Sequence, residues 1–412
     1  MTATAIRLTL LIAVVLTGTA YAADDTPAPN RDGILFEGGL KIDTLRNRGA
    51  LRDGTRTVSH LDLKLKMDLE KAVGWQGGSA MINVIRDAGR GPNEDLVGSL
   101  MGVTNLEVTS PTTTRLFHAW LQQSLLDEQL SFLVGIYPVD SEFQVMDAAG
   151  IFIKPEYGPT ADFSLTRGPS IFNNAAFGFR TRWQAADKSL YAQWALMDGI
   201  PNDPDHPKRT SVRFEHGDGA FNILEIGWLP EAANEEYKGH AKLALGLWGY
   251  TVREDDQLDV ANIDAGITVG PARKRRSRGS YLLGERTLMR LGHDDARFVS
   301  AFGRYSWTDG DSSPLKNVLS LGIHIKGPLA SRPDDIFGLA WSRAGTASKW
   351  RDAQAVDAVA ADRAERAIEL TYRYVVTPWF AVQPNFQRIV NPGALRAVPN
   401  STVIGARFEF TL

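Results

Sequence analysis

Leu61-Asp62-Leu63-Lys64-Leu65-Lys66-Met67-Asp68-Leu69 is the stretch that decides the fold. A period of two gathers its apolar side chains on one face and its charges on the other, whereas a helix would scatter the leucines around its circumference. The same alternation returns in Leu40-Lys41-Ile42-Asp43, in Leu243-Ala244-Leu245-Gly246-Leu247 and in Leu319-Ser320-Leu321-Gly322-Ile323-His324-Ile325. It recurs in Ile368-Glu369-Leu370-Thr371-Tyr372-Arg373-Tyr374 and in Ile404-Gly405-Ala406-Arg407-Phe408-Glu409-Phe410-Thr411-Leu412. Turn signals punctuate these runs: Asp198-Gly199, Gly217-Asp218-Gly219, Asp309-Gly310 and Asn391-Pro392-Gly393. The chain reads as all-β, built from antiparallel strands.

Composition removes several function classes. The 412 residues hold 45 Lys and Arg against 48 Asp and Glu, a net charge of −3. That balance lacks the basic footprint of a nucleic-acid binder, so no nucleic acid is expected as a partner. With no cysteine, a disulfide scaffold, a thiolate metal site and a cysteine nucleophile are all excluded.

The N-terminus carries an export signal. Arg7 precedes an apolar run from Leu8 to Leu16 and then Thr17-Gly18-Thr19-Ala20-Tyr21-Ala22-Ala23. This is the layout of a signal peptide over residues 1–22, cleaved after Ala22. The run is shorter than the ~20 apolar residues a spanning helix needs. A short leader is expected over 23–34 and one continuous domain over 35–412. An exported chain without a later hydrophobic helix is a soluble β-protein or an outer-membrane barrel, whose alternating strands escape hydropathy averaging. Soluble sheets alternate too. Two features favour the barrel. Opposed charges stand two residues apart on the polar face (Asp62 with Lys64, Lys66 with Asp68), as suits a wet lumen. Aromatics such as Trp183, Trp228, Trp307, Tyr372, Tyr374, Trp379 and Phe380 fall near strand ends, where interfacial girdles sit.

Several segments, in order along the chain, resemble the OprB-type family of carbohydrate-selective porins. They begin with Asp68-Leu69-Glu70-Lys71-Ala72-Val73-Gly74-Trp75-Gln76-Gly77-Gly78 and continue with Leu116-Phe117-His118-Ala119-Trp120-Leu121-Gln122-Gln123. Leu130 to Gly135, Ala148 to Phe152, and Ala192 to Asp203 with its Asp198-Gly199-Ile200-Pro201 turn follow. Arg332-Pro333-Asp334-Asp335 also fits, and the most specific match is Pro378-Trp379-Phe380-Ala381-Val382-Gln383-Pro384-Asn385-Phe386-Gln387 with Asn391-Pro392-Gly393. Ile136 departs from the pattern, because the family commonly has a basic residue after that glycine. The resemblance implies one transmembrane antiparallel barrel of about 16 strands in the outer membrane of a Gram-negative bacterium. About 24 residues would then serve each strand with its connection, enough for ~10 residues of strand. It also implies sugars as transported solutes and contact with outer-membrane lipid and lipopolysaccharide. Monomer against homotrimer stays open, and no cofactor is implied.

Motifs for other chemistry are absent. The seven histidines show no metal spacing, and neither a G-x-S-x-G elbow nor a phosphate loop occurs. No catalytic or metal residue is therefore expected. Asp309-Gly310-Asp311-Ser312 lacks the later Glu of a calcium loop and reads as a turn. Arg273-Lys274-Arg275-Arg276-Ser277-Arg278 reads as a solvated loop in preference to a site for lipopolysaccharide phosphates, and Trp350 to Arg366 as a helical patch in an external loop.

Function then rests on inward-facing side chains. By parity these are Glu37, Lys41, Asp43, Asp62, Lys64, Arg180, Glu225, Arg304, Glu369, Arg373, Gln383, Asn385, Gln387 and Arg407. Planar charged groups hydrogen-bond sugars, and charged rings at a constriction set selectivity. Arg180 and Arg304 opposed by Glu225 and Glu369 are the expected eyelet, although each could equally be a wall-stiffening salt bridge. The leading expectation is a passive sugar channel. The alternatives are a general, organic-acid or ion-selective porin on the same barrel, an enzyme or adhesin on a barrel, and a soluble β-protein.

Overall fold

A computed structural model describes residues 32–107, 112–230, 240–292 and 296–411. The expected signal peptide and most of the leader fall outside these residues. Sixteen antiparallel strands pair in chain order and close into a barrel. They are β1 (Ile34–Gly49), β2 (Gly54–Asp68), β3 (Gly78–Gly89), β4 (Thr113–Leu125), β5 (Leu130–Tyr137), β6 (Ala176–Gln184), β7 (Leu190–Asp198) and β8 (Ala220–Trp228). The second half comprises β9 (Ala241–Asp255), β10 (Lys274–Arg290), β11 (Phe298–Thr308), β12 (Leu315–Lys326), β13 (Ile336–Thr346), β14 (Ala364–Thr377), β15 (Phe380–Val390) and β16 (Ser401–Thr411). Closure is antiparallel between β1 and β16, with Gly39 opposite Thr411 and Asp43 opposite Arg407. A closed ring leaves no strand edge, as a hydrocarbon environment without water requires.

The outer wall follows the alternation. Leu243, Leu245 and Leu247 of β9 and Ile368 and Leu370 of β14 are exposed on it, where acyl chains would cover them. Trp183, Trp228, Trp307 and Tyr374 are exposed near the strand ends, at interfacial heights.

The inner wall departs from a simple polar lumen. Inward positions of β7 to β11 include Met197, Phe221, Ile223, Trp248, Tyr250, Tyr281, Leu283 and Phe302, all buried. They are covered by the connection at 138–175, which turns into the barrel and packs Phe143, Phe152, Tyr157 and Phe163 against them. The connection at 90–107 also turns inward, burying Leu96, Val97, Met101 and Val103 against Leu45, Val318, Ala344, Ala367, Ile389 and Val403. Alternation on its own could not reveal that one face of these strands is apolar because another part of the chain covers it.

One end of the barrel carries short turns, at 126–129, 185–189 and 378–379, and the other carries longer connections, at 90–112, 138–175, 199–219, 256–273 and 347–363. Short turns mark the periplasmic end of such barrels and long loops the extracellular end.

Two local expectations are corrected. The basic run is not a loop: β10 starts at Lys274, so Lys274 to Arg278 belong to a strand. The helical patch is shorter than expected, running over Ser348–Val356. Ala358 takes a positive φ of 58° just beyond it, and β14 has begun by Ala364. Of the charge pairs, Asp62 does meet Lys64, at 2.9 Å. Lys66 instead reaches across to Glu37 at 3.0 Å, leaving Asp68 to cap a short helix through the Lys71 N–H.

Candidate functional site

Three strand-borne carboxylates reach inward and accept backbone N–H bonds from the 138–175 loop. Glu225 of β8 accepts from Gln144 at 3.0 Å, Glu285 of β10 from Ala148 at 2.8 Å, and Glu369 of β14 from Ile153 at 2.8 Å and Lys154 at 3.1 Å. Arg304 of β11 supplies the complementary donors. Its guanidinium bonds the carbonyl oxygens of Gln144, Gly158 and Glu156. A loop lowered into a barrel has buried backbone groups without a sheet partner, and each must be satisfied by something. Glu225, Glu285, Glu369 and Arg304 meet that need.

The wall is shaped to make these reaches possible. Tyr191 and Tyr281 both donate their hydroxyls to Glu225, at 2.7 and 2.5 Å. Their rings lie across Gly227 and Gly246, where a Cβ would stand 2.1 and 2.0 Å from ring atoms. Glycine at both places lets the rings lie flat on the wall.

A second set of contacts holds the 90–107 connection. Arg407 clasps Asp43 with bonds of 2.7 and 2.9 Å and reaches Asn105 at 2.6 Å. Glu365 accepts from the N–H groups of Leu100 and Gly393, both at 2.8 Å. Gln387 and Gln383 donate to the carbonyls of Val103 at 2.9 Å and Ile151 at 2.7 Å, and Asn385 donates to Glu369 at 2.6 Å. Lys154, fully buried, joins the two connections by donating to the Gly102 carbonyl and to Ser99 Oγ.

Charges within the inserted loop respond to this dry setting. Burial pushes the Glu156 carboxyl up to about 7 against the pull of Arg304. Burial also raises Asp162, and it lowers Lys154 against the pull of Glu365 and Glu369.

The other side of the lumen is wet. Lys64 and Asp62 keep 30% and 25% of their side chains exposed, whereas Arg304 keeps 0%. Arg373 pairs with Glu409 at 2.6 Å and stays partly exposed. Lys41 is the register partner of Glu409. Arg180 stands at the border: it meets Glu142 of the loop at 2.6 Å, Ser131 at 2.6 Å and Gln122 at 2.7 Å.

The sequence candidates therefore fall into two groups. Glu225, Arg304, Glu369, Asp43 and Arg407 are gathered beneath the inward connections, while Lys41, Asp62, Lys64 and Arg373 line the wet strip. Parity reasoning passed over Glu285 and Glu365, although Glu365 stands four residues before Glu369 and so shares its face. Glu142 and Lys154 sit in irregular loop, where no period marks them.

One arrangement could hold a cation. His240 Nε2 is 3.0 Å from Glu285 and 3.7 Å from Asp147, a grouping of metal-ligating atoms spread too widely in sequence for a spacing motif. Burial works against the charged imidazole, but the bond to Glu285 together with the negative charges of Glu285 and Asp147 outweighs it and raises His240 above its ordinary value. An ion pair of protonated His240 with its two carboxylates accounts for the geometry.

Comparisons with known proteins agree with the barrel. The family described as carbohydrate-selective porin, OprB family, matches residues 52–412. Porin B of Pseudomonas aeruginosa is 24% identical, over 95% of this chain and 94% of its own. The putative porin QuiX of Acinetobacter baylyi is 23% identical over 92% and 85%. The high-pH structure of Pseudomonas putida OprB shares the fold with a TM-score of 0.82 at 19% identity, covering 92% of this chain and 94% of that one. With the family matched over most of its length and a closed barrel of sixteen strands to carry it, this chain belongs to the OprB family of carbohydrate-selective porins and is a channel of the Gram-negative outer membrane.

Proposed function

We propose that sugars cross this barrel passively along the strip between the 138–175 loop and the wall formed by β1, β2, β14 and β16. In this reading Arg180, Glu142 and Gln122 border the path beside the loop, and Lys41, Asp62, Lys64, Arg373 and Glu409 line its wall. One observation carries it: Asp62, Lys64, Arg373 and Glu409 keep contact with water while the opposite wall is covered by packed loop. Paired charges of both signs present donors and acceptors to hydroxyl groups without a strong net field, which suits a neutral solute. Arg304 and Glu369 enter the reading as supports of the loop, and lipopolysaccharide as the neighbour of the outer wall.

Liposome swelling with glucose tests the path. Replacing Lys64 and Arg373 together by Gln should change the glucose rate relative to a small control solute. Unchanged rates would remove the strip from the path. Conductance in planar bilayers, titrated with glucose or with an organic acid, separates this reading from an organic-acid or general porin, because only the solute that occupies the strip reduces the current. Native mass spectrometry of the detergent-extracted protein decides between monomer and homotrimer.

A further inference from the structure

The extracellular rim of the outer wall carries arginines where the outer wall is otherwise apolar. Arg343, near the end of β13, and Arg366, near the start of β14, face outward and are direct register partners. Beside them, Arg388 and Arg48 flank Thr402 in one row of β15, β16 and β1. Arg388 donates to Thr402 Oγ1 at 2.6 Å and Arg343 to Asn317 Oδ1 at 3.2 Å. Among the described residues none of these four arginines makes an ion pair, and no acidic side chain faces outward beside them. Ile368, Phe386 and Ile404, exposed on the same face, lie just below.

Two like charges directly opposite each other on a sheet repel. The arrangement nevertheless recurs on another side of the barrel, where Arg253 and Arg276 are register partners and both are exposed. They share a shallow cleft with Arg278, Asp309 and Asp311. An anion between each pair would turn repulsion into attraction, and the planar fork of arginine matches phosphate with two parallel bonds. The height is also telling. At the extracellular ends of the strands, immediately above the apolar belt, the charged groups beside the protein are the headgroups of the outer leaflet.

We infer that these outward arginine pairs are docking sites for the phosphates of an outer-leaflet glycolipid of the lipid A type. The inference deepens the lipid contact named with the proposed function. It depends on the outer-membrane setting but not on which solute the lumen passes.

The test is native mass spectrometry of the detergent-solubilised barrel titrated with three probes: bisphosphorylated lipid A, dephosphorylated lipid A and phosphatidylglycerol. Bisphosphorylated lipid A should bind about tenfold or more tightly than either other probe. R343Q/R366Q, and separately R253Q/R276Q, should each lose most of that difference. R209Q, an exposed arginine of the 199–219 loop that belongs to neither pair, should keep it. Arg-to-Gln changes on the outward face leave the barrel interior untouched, and heat-modifiable migration on gels checks that each variant is folded. Equal binding of dephosphorylated lipid A overturns the inference, as does equal binding of phosphatidylglycerol or unaltered binding by both double variants. A variant that alters the number of associated chains while binding lipid A normally also overturns it, since the pairs would then serve contact between copies. Glucose swelling should be unchanged in the double variants, so a failed lipid test leaves the sugar path untouched.

Discussion

Glu369 and Arg373 stand four residues apart on β14 and both point into the barrel, yet they work in different surroundings. Glu369 has no exposed surface and binds the backbone of Ile153 and Lys154. Arg373, nearer the periplasmic end, is partly exposed and meets Glu409 across the wall. The same contrast divides the whole lumen. Against β7 to β11 the 138–175 loop excludes water, so charged groups there are valuable for satisfying backbone that has no sheet partner. Along the periplasmic halves of β1 and β2 water remains, so charges pair with each other and stay available to a passing solute. Facing inward is thus not one role, because burial decides whether a charge holds structure or meets solute.

The dry side should break hardest. Glu369→Ala removes the acceptor of two buried N–H groups and of Asn385, and strips the buried Lys154 of a nearby counter-charge. Removing one partner from a buried charged network costs about 3–5 kcal/mol. Denaturant unfolding followed by tryptophan fluorescence should show a loss of that order, and single-channel recordings should become noisier as the loop loosens. Glu369→Gln, which keeps an acceptor of the same shape, should lose less. A Glu369→Ala barrel as stable and as quiet as the parent would mean that the loop is held by its aromatic packing alone. Arg304→Gln should follow Glu369→Ala closely, because it leaves the carbonyls of Gln144, Glu156 and Gly158 short of donors inside the same packed region.

The distinction between the two sides was only half written in the sequence. Alternation in Leu61 to Leu69 gave the strand, its two faces and, by counting, the inward direction of Glu369 and Arg373 alike, because a period of two is a local property of the backbone. What separates those residues is a contact across more than two hundred positions, between Glu369 and Ile153, and no periodic signal reports it. Phe221, Trp248 and Phe302 held a clue. Large apolar residues at inward positions of several neighbouring strands imply that something apolar covers them. The covering loop itself, with Phe143, Phe152 and Phe163 in short turns and single-turn helices, has no period to read. The basic run at Arg273 to Arg278 misled for a related reason: a charge cluster suggests a loop, but at the rim of a barrel a strand can carry arginines outward beyond the apolar belt.

A change of pH should separate the two sides next. Glu156 sits in the covered loop with its carboxyl raised by burial to about 7, while an unfolded glutamate titrates near 4.3. Between those values the folded chain holds a proton that the unfolded chain has released, so stability falls as pH rises through the window and levels off above it. The shift corresponds to roughly 4 kcal/mol as an upper bound. Unfolding midpoints measured from pH 5 to pH 8 should therefore decline, and Glu156→Gln should flatten the decline by removing the titrating group. A decline that persists undiminished in Glu156→Gln would assign it to other carboxyls, of which Asp140, also raised by burial to about 7, is the first to replace.

The wet side should show the smallest structural effect and a readable change in transport. Arg373→Gln breaks a partly exposed pair with Glu409, and such pairs contribute under about 1 kcal/mol. The unfolding curve should barely move. Lys41, Lys64, Lys66 and Arg373 face Glu37, Asp62 and Glu409 along the strip, so removing one cation makes the two signs equal in number. Reversal potentials in a KCl gradient should shift toward cations by a few millivolts, because rings of charge at close quarters tune ion preference. Glucose swelling should change by less than about twofold, since a neutral solute responds to lost hydrogen bonds more than to a lost field. If Arg373→Gln instead destabilised the barrel as much as Glu369→Ala, Arg373 would have to be counted with the groups that hold the loop, and water at its side chain would cease to mark the sugar path.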